Sequence, residues 1–445
     1  MELIRGISGI RGIVGQTLTE PILSRHIQAF SAIQSDGPIL VARDSRSHGE
    51  NFINVTCRVL QKCGRQIQNF GIIPTPTAQF LVEKNGLAGG LVITASHNPT
   101  EWNGLKFIDS NGCFLDSEKN LNLFKIADDD SIQEDKPGNI QTIESGYLPH
   151  IEHTKNLSVI DTGLIESRKF TVVIDATNGA ASLALPAMLE AFGCTVYRLY
   201  CEPDGDFPRG AEPIPHNLHK LAETVVETKA HVGFATDPDG DRLAVVDENG
   251  LPLGEEYTLT ICADDFLSST SSTIPLVTNL STTMALDRVA EKHGTSVIRS
   301  AVGEINVVNQ MKEVGALLGG EGNGGVILKE SHYGRDSLVG TALFLNRMAR
   351  NNQTVSEIFK SMPQYVMVKD KIELGDINPE KATKKIEENF TDARHDKTDG
   401  LKITWENSWV HIRKSNTEPI IRIYAEAFSE DKVHKLVDSV KRCIL

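Results

Sequence analysis

The stretch Leu91-Val92-Ile93-Thr94-Ala95-Ser96-His97-Asn98-Pro99 sets the reading of this chain. Three apolar residues, two of them β-branched, make a short strand. The polar hexapeptide that follows stops it and offers a hydroxyl on a turn shaped by Asn-Pro. The same arrangement recurs on either side: residues 38–42 run into Arg43-Asp44-Ser45-Arg46, and 172–174 run into Asp175-Ala176-Thr177-Asn178-Gly179. Stretches with apolar residues three and four apart lie at 20–34, 51–63, 182–192, 217–228, 305–314 and 341–348, which predicts helices there. Alternating strands and helices predict layered α/β units, in which ligands collect beyond the carboxyl ends of strands. The tail differs. Two β-rich runs, 401–412 and 420–427, precede a helix from Asp431, the pattern of a smaller α+β domain.

With 445 residues the chain is long enough for about three domains. Its folded surface should come to about 17,000 Å², so the core needs no disulfide or metal staple. Forty-five Lys and Arg against 59 Asp and Glu give a net charge of −14, which opposes nucleic acid and anionic membranes as partners. An anionic ligand therefore requires a local basic pocket. No run approaches the length of a membrane span, and Glu2, Arg5 and Arg11 occupy the start where a signal peptide needs apolar residues. Seven scattered cysteines without a CxxC predict reduced thiols and a cytoplasmic protein. The polar stretch 128–145 reads as the first inter-domain passage, Asp247-Glu248-Asn249-Gly250 as a closing turn of a second unit, and Ser361-Met362-Pro363 as the end of a third.

Four loops carry chemistry. An isolated Ser96 would read as an ordinary turn residue; with His97-Asn98-Pro99 and the nearby Asn103-Gly104-Leu105-Lys106 it reads as an active-site signature. Asp237-Pro238-Asp239-Gly240-Asp241-Arg242 lies between two strand-like runs, and its alternate carboxylates converge as hard oxygen ligands for Mg²⁺ or Ca²⁺. An EF-hand alternative, with Asp237, Asp239, Asp241 and Glu248 at positions 1, 3, 5 and 12, fails because position 6 is Arg242 and the flanks are strands. Arg413-Lys414-Ser415-Asn416-Thr417-Glu418-Pro419, with Arg422, supplies guanidiniums, hydroxyls, an amide and turn N–H groups, a donor set for a phosphate dianion. Gly319-Gly320-Glu321-Gly322-Asn323-Gly324-Gly325 lacks the Lys-Ser/Thr of a P-loop, so its carboxylate and amide suit sugar hydroxyls.

Taken in order with Ser8-Gly9-Ile10-Arg11-Gly12, these loops resemble the α-D-phosphohexomutase superfamily over essentially the whole chain. The resemblance implies three related α/β domains and a smaller C-terminal α+β domain around a central cleft, at 1–147, 148–251, 252–362 and 363–445, each giving one loop. It implies Ser96 as the residue carried as phosphoserine and Asp237, Asp239 and Asp241, with Ser96, as Mg²⁺ ligands. Arg413, Ser415, Asn416, Thr417 and Arg422 would form the distal phosphate site, and Glu321 and Asn323 the sugar contacts. Arg11, Lys106, Arg242 and His97 would stabilise charge, with Lys106 as general base through a pKa depressed by packed cations and His97 as runner-up. The substrate would be a sugar phosphate passing through a bisphosphate, handled by a monomer or homodimer. Val302-Gly303-Glu304-Ile305-Asn306 and the Glu321 loop look most like the phosphoglucosamine branch, with Glu304 a second carboxylate for a 2-ammonium group. The Ser-Asn-Thr of the tail loop resembles phosphomannomutases, which keeps mannose or glucose phosphate open. A binding protein without catalysis, a phosphatase and a kinase are the other classes.

Overall fold

The computed structural model describes residues 3–129, 138–375, 377–414 and 420–444. Its accessible surface is 17502 Å², in line with the size expectation. Three units repeat one connectivity. In the first, Ile39–Arg43, Gln66–Ile72 and Gly89–Ile93 are parallel strands joined by helices Gly49–Lys62 and Thr75–Lys84. The third strand then turns back as an antiparallel hairpin into Trp102–Asp109. In the second, Thr171–Asp175, Thr195–Leu199 and Val232–Thr236 are followed by the hairpin partner Leu243–Val246. In the third, Leu276–Asn279, Val297–Ser300 and Leu318–Glu321 are followed by Gly325–Leu328. Each sheet runs hairpin strand, third strand, first strand, second strand.

The chemical loops sit at equivalent places because of this repeat. Ser96, Asp237 to Arg242 and Gly322 to Gly324 each occupy the hairpin turn that leaves the carboxyl end of the third strand. The first sheet is extended to seven strands by Ile4–Gly6 and Gly9–Ile13 on one side and by Asn139–Thr142 on the other. Part of the passage expected to be a linker is therefore sheet; residues 130–137 lie outside the described residues.

The C-terminal unit is an antiparallel five-stranded sheet with helices Pro379–Asn389 and Glu430–Ile444. The run 401–412 is two strands, Leu401–Trp405 and Ser408–Lys414, reversed at Glu406-Asn407. The second and third units share one hydrophobic core, with Phe234 of one packed edge-on against Phe344 of the other. The seven cysteines are all unpaired, and among the described residues no helix is long and apolar enough to cross a membrane.

Candidate active site

Ser96 adopts a left-handed backbone at φ 50°, and its conformation is imposed from the neighbouring strand end. Asp44 accepts from Thr94 Oγ1 at 2.6 Å, and Thr94 Oγ1 in turn accepts the Ser96 N–H at 2.8 Å. Arg46, paired with Asp44 and 1% exposed, donates to the carbonyls of Ser96, Asn98, Pro99 and Trp102. Five N–H groups in a rigid fork can hold a loop in this way; a lysine cannot. Neither Asp44 nor Arg46 is evident as a site residue in the sequence, where their cluster reads only as strand punctuation. Arg11 reaches the same loop through Asn98 Oδ1 at 3.0 Å.

The aspartate hairpin faces this serine. Ser96 Oγ lies 3.2 Å from Asp237 Oδ2. Thr75 of the first unit fixes Asp239 twice, by its N–H to the carbonyl and its hydroxyl to Oδ2 at 2.7 Å. All three carboxylates are fully buried with ligand oxygens within 4.8 Å of one another, and Asp239 Oδ1 and Asp241 Oδ1 have no hydrogen-bond partner among the described residues. Burial, then Asp241 and Asp239, push the Asp237 carboxyl well above the ordinary carboxylate range. Orphaned, crowded carboxylate oxygens are what a hard divalent cation would satisfy, so the donor set fits Mg²⁺.

Lys106 donates to Asp239 Oδ2 at 2.6 Å and to Asp241 Oδ2 at 3.0 Å. Burial pulls its ammonium down, but the two carboxylates outweigh it and the net shift is upward. The expected depression by packed cations is corrected on this point: the nearest charges are anions. His97 goes the other way. Arg242, burial and Arg11 hold its imidazole well below the usual range. Its Nδ1 accepts from Arg242 Nη2 at 2.8 Å and lies 3.4 Å from Ser96 Oγ.

Arg335, absent from the sequence-derived set, joins the loops. It donates to Asp241 Oδ2 at 2.8 Å, Glu321 Oε2 at 2.7 Å and Glu304 Oε2 at 3.0 Å. Glu304 also accepts from Gln79 Nε2 at 3.0 Å, so it is a strut between the first and third units and not a free carboxylate for an amino group. Glu321 further accepts from Asn279 Nδ2 at 2.7 Å and the Gly303 N–H at 3.0 Å. Asn323 bonds within its own loop, to the Gly325 N–H and Glu321. The glycines there serve close packing: at Gly324, φ 89°, a Cβ would stand 2.3 Å from the Leu243 carbonyl oxygen of the aspartate hairpin.

In the C-terminal unit Arg413 and Arg422 are directly opposed across adjacent strands, and Lys371 is opposed to Arg422 on the next. Opposed residues share a sheet face, so the three cations lie in one row. Ser415, Asn416 and Thr417 lie outside the described residues.

Family models for phosphoglucomutase/phosphomannomutase match in chain order: α/β/α domain I at 2–133, domain II at 146–250, domain III at 255–365 and the C-terminal domain at 368–442. The chain belongs to the phosphoglucomutase/phosphomannomutase family. The phosphoglucomutase/phosphomannomutase of Thermococcus kodakarensis is 34% identical over 98% of this chain and 97% of its own. A Methanopyrus kandleri protein described as a probable phosphoglucosamine mutase is 32% identical over 99% and 98%. A family member from Burkholderia thailandensis superposes with a TM-score of 0.86 at 27% identity, over 98% of this chain and 95% of the other. The family assignment covers all four loops, and the four-domain α/β architecture expected from the resemblance is the one observed.

Proposed function

We propose that this chain is a phosphoglucosamine mutase, interconverting glucosamine 6-phosphate and glucosamine 1-phosphate through a phosphoserine and a bisphosphorylated sugar. The observation that carries the reading is the Ser96 hydroxyl 3.2 Å from Asp237 at the edge of a buried three-carboxylate cluster. The description of the Methanopyrus kandleri relative and the acidic Glu321 loop support the amino sugar. The four units would act at 1–147, 148–251, 252–362 and 363–445, in the cytoplasm.

In the first half-reaction the P–O bond of phospho-Ser96 breaks as a sugar hydroxyl oxygen bonds to phosphorus. The bisphosphate turns over in the cleft, and its other phosphoryl returns to Ser96. Asp237, Asp239 and Asp241 would hold Mg²⁺, which when bound supplies Lewis-acid charge neutralisation at the phosphoryl oxygens. Arg11 and Arg242 stand beside the serine loop, where charge spread over the transferring group needs donors. Lys106 has the geometry of a charge clamp. His97 Nδ1 lies 3.4 Å from Ser96 Oγ but is taken up by Arg242, which also weakens it as a base, so it would orient the serine loop. The row of Lys371, Arg422 and Arg413, with Ser415 to Thr417, would hold the phosphate that is not reacting.

A panel of hexose and hexosamine 1- and 6-phosphates, assayed with catalytic bisphosphate and Mg²⁺, tests the reading. Turnover without net phosphate release, abolished by chelator and greatest in kcat/KM for glucosamine phosphate, is expected. Net phosphate release would make the protein a phosphatase; full activity in chelator or in Asp239→Asn would make the acidic loop structural.

A further inference from the structure

A second candidate metal centre, sharing no residue with the aspartate hairpin, lies where the first unit, the helix Leu148–Lys155 and the third unit meet. His150 Nε2 is 2.9 Å and His332 Nε2 3.1 Å from the same oxygen, Asp336 Oδ2. None of the three residues is more than 2% exposed, and their ligand atoms all fall within 4.8 Å of one another.

Contacts from outside fix two of the three. Asp336 Oδ1 is occupied by the N–H groups of Leu338 and Val339 at the start of helix Ser337–Asn351, which leaves Oδ2 facing the histidines. His150 Nδ1 is 3.0 Å from Thr77 Oγ1, and the Phe80 ring stacks on the imidazole at 4.8 Å, so Nε2 can point only inward. Asp336 Oδ2 is hydrogen-bonded to His332 Nε2, yet His150 Nε2 makes no well-aligned hydrogen bond among the described residues, despite its short distance to the same oxygen. A buried polar atom left unsatisfied costs about 1–3 kcal/mol, so a convergent pair of nitrogen and oxygen atoms off the hydrogen-bond line wants another occupant.

We propose that His150, His332 and Asp336 bind a divalent transition ion of the zinc type, separately from the all-oxygen aspartate site. Two imidazoles and one carboxylate are a borderline donor set, suited to Zn²⁺ and poor for Mg²⁺. Partner groups that orient a ligand from behind, as Thr77 and the helix N–H groups do here, are a regular feature of metal centres. A water completes the fourth position. The ion would tie three segments distant in sequence, and it would anchor the residue next to Arg335, which holds Asp241 and Glu321.

The test uses the full chain, stripped with chelator and then saturated with Mg²⁺ to fill the aspartate site. Addition of Zn²⁺ or Co²⁺ should give one tightly bound equivalent by elemental analysis, a ligand-field absorption for Co²⁺, and a raised unfolding temperature. His332→Gln should weaken binding more than about 100-fold, Thr77→Val by about 10- to 100-fold, and Asp239→Asn should leave it unchanged. Thr77→Val removes one hydroxyl and keeps the shape, so it reads the site even if His332→Gln does not fold. No Zn²⁺ or Co²⁺ bound above excess Mg²⁺, affinity unchanged in Thr77→Val, or loss of binding in Asp239→Asn would each overturn the proposal and leave a charge-paired histidine cluster.

Discussion

Arg335 Nη2 lies 2.8 Å from Asp241 Oδ2, tying the third unit to the aspartate hairpin of the second. The same guanidinium holds Glu321 and Glu304. Removing it in Arg335→Ala strands three buried carboxylates, so a loss of about 3–5 kcal/mol in unfolding free energy is expected. Arg335→Lys keeps the charge but gathers its donors on one nitrogen, where Arg335 uses three, and should recover part of the stability while kcat stays low. Thermal unfolding beside kinetics checks this; wild-type kcat in Arg335→Lys would mean that the loops need no common anchor.

What was legible in the sequence depended on whether the chemistry was contiguous. Ser96 and the three aspartates sit in single hairpin turns, so residue type and spacing exposed them. Arg46, Arg335 and the strut role of Glu304 arise only when separate units pack, and nothing local marks a buried arginine. Helix Glu256–Thr270 was missed for a related reason: it is buried on all faces from Glu256 to Leu267, so it has no amphipathic period to find. The repeat of three units was reachable only through the family resemblance, because it is a repeat of connectivity and not of residues.

The strained serine gives a second expectation. Ser96→Ala and Ser96→Gly should both lose the phosphoryl carrier, with kcat down by at least about 10⁴-fold. Their stabilities should differ. At φ 50° alanine keeps the left-handed penalty and glycine does not, while glycine adds entropy to the unfolded chain. Ser96→Gly should come out more stable than Ser96→Ala by about 0.5–1 kcal/mol in denaturant unfolding. The reverse order would show that the backbone is relaxed.

Arg46 acts through the loop it clamps. Arg46→Lys retains a cation for Asp44 but gives up most of the four carbonyl contacts, so the serine should be displaced by a fraction of an ångström. A fall of about 10²-fold in kcat with KM little changed is expected. Steady-state kinetics and phosphoserine occupancy by intact mass check it; a change confined to KM would assign Arg46 to substrate binding.

His26 should make the fold acid-sensitive. It is fully buried, its Nδ1 donates to the Ile22 carbonyl at 2.7 Å, and its Nε2 has no partner among the described residues. Burial, with Arg5 and Arg25 nearby, pushes its pKa down to about 4. The unfolded chain therefore takes up a proton first as pH falls below about 6.5, and the stability present above that pH is lost progressively until the folded pKa is reached. Between pH 7 and 4.5 the contribution comes to about 2–3 kcal/mol. His26→Leu should flatten the stability profile by that amount over that window, measured by denaturant unfolding. An unchanged slope would place the acid sensitivity elsewhere.

Glu321 and Glu304 are the two carboxylates the sequence offers for the substrate preference. Glu304 is occupied by Arg335 and Gln79, so it has no oxygen to offer a 2-ammonium group without breaking a strut between two units. Glu304→Gln should therefore lower kcat for glucosamine, glucose and mannose phosphates by similar factors, through Arg335, and leave their ratio near wild type. Glu321 closes the strand Leu318–Glu321 and is itself held by Arg335, Asn279 and the Gly303 N–H, so any preference it gives a cationic sugar acts through its charge and not through a free oxygen. Glu321→Gln should bring kcat/KM for glucosamine phosphate down toward that for glucose phosphate, since a neutral amide drops the charge. Selectivity lost in Glu304→Gln and kept in Glu321→Gln would reverse the two roles. A wild-type preference of tenfold or more for mannose phosphate would move the specificity to the C-terminal loop around Asn416.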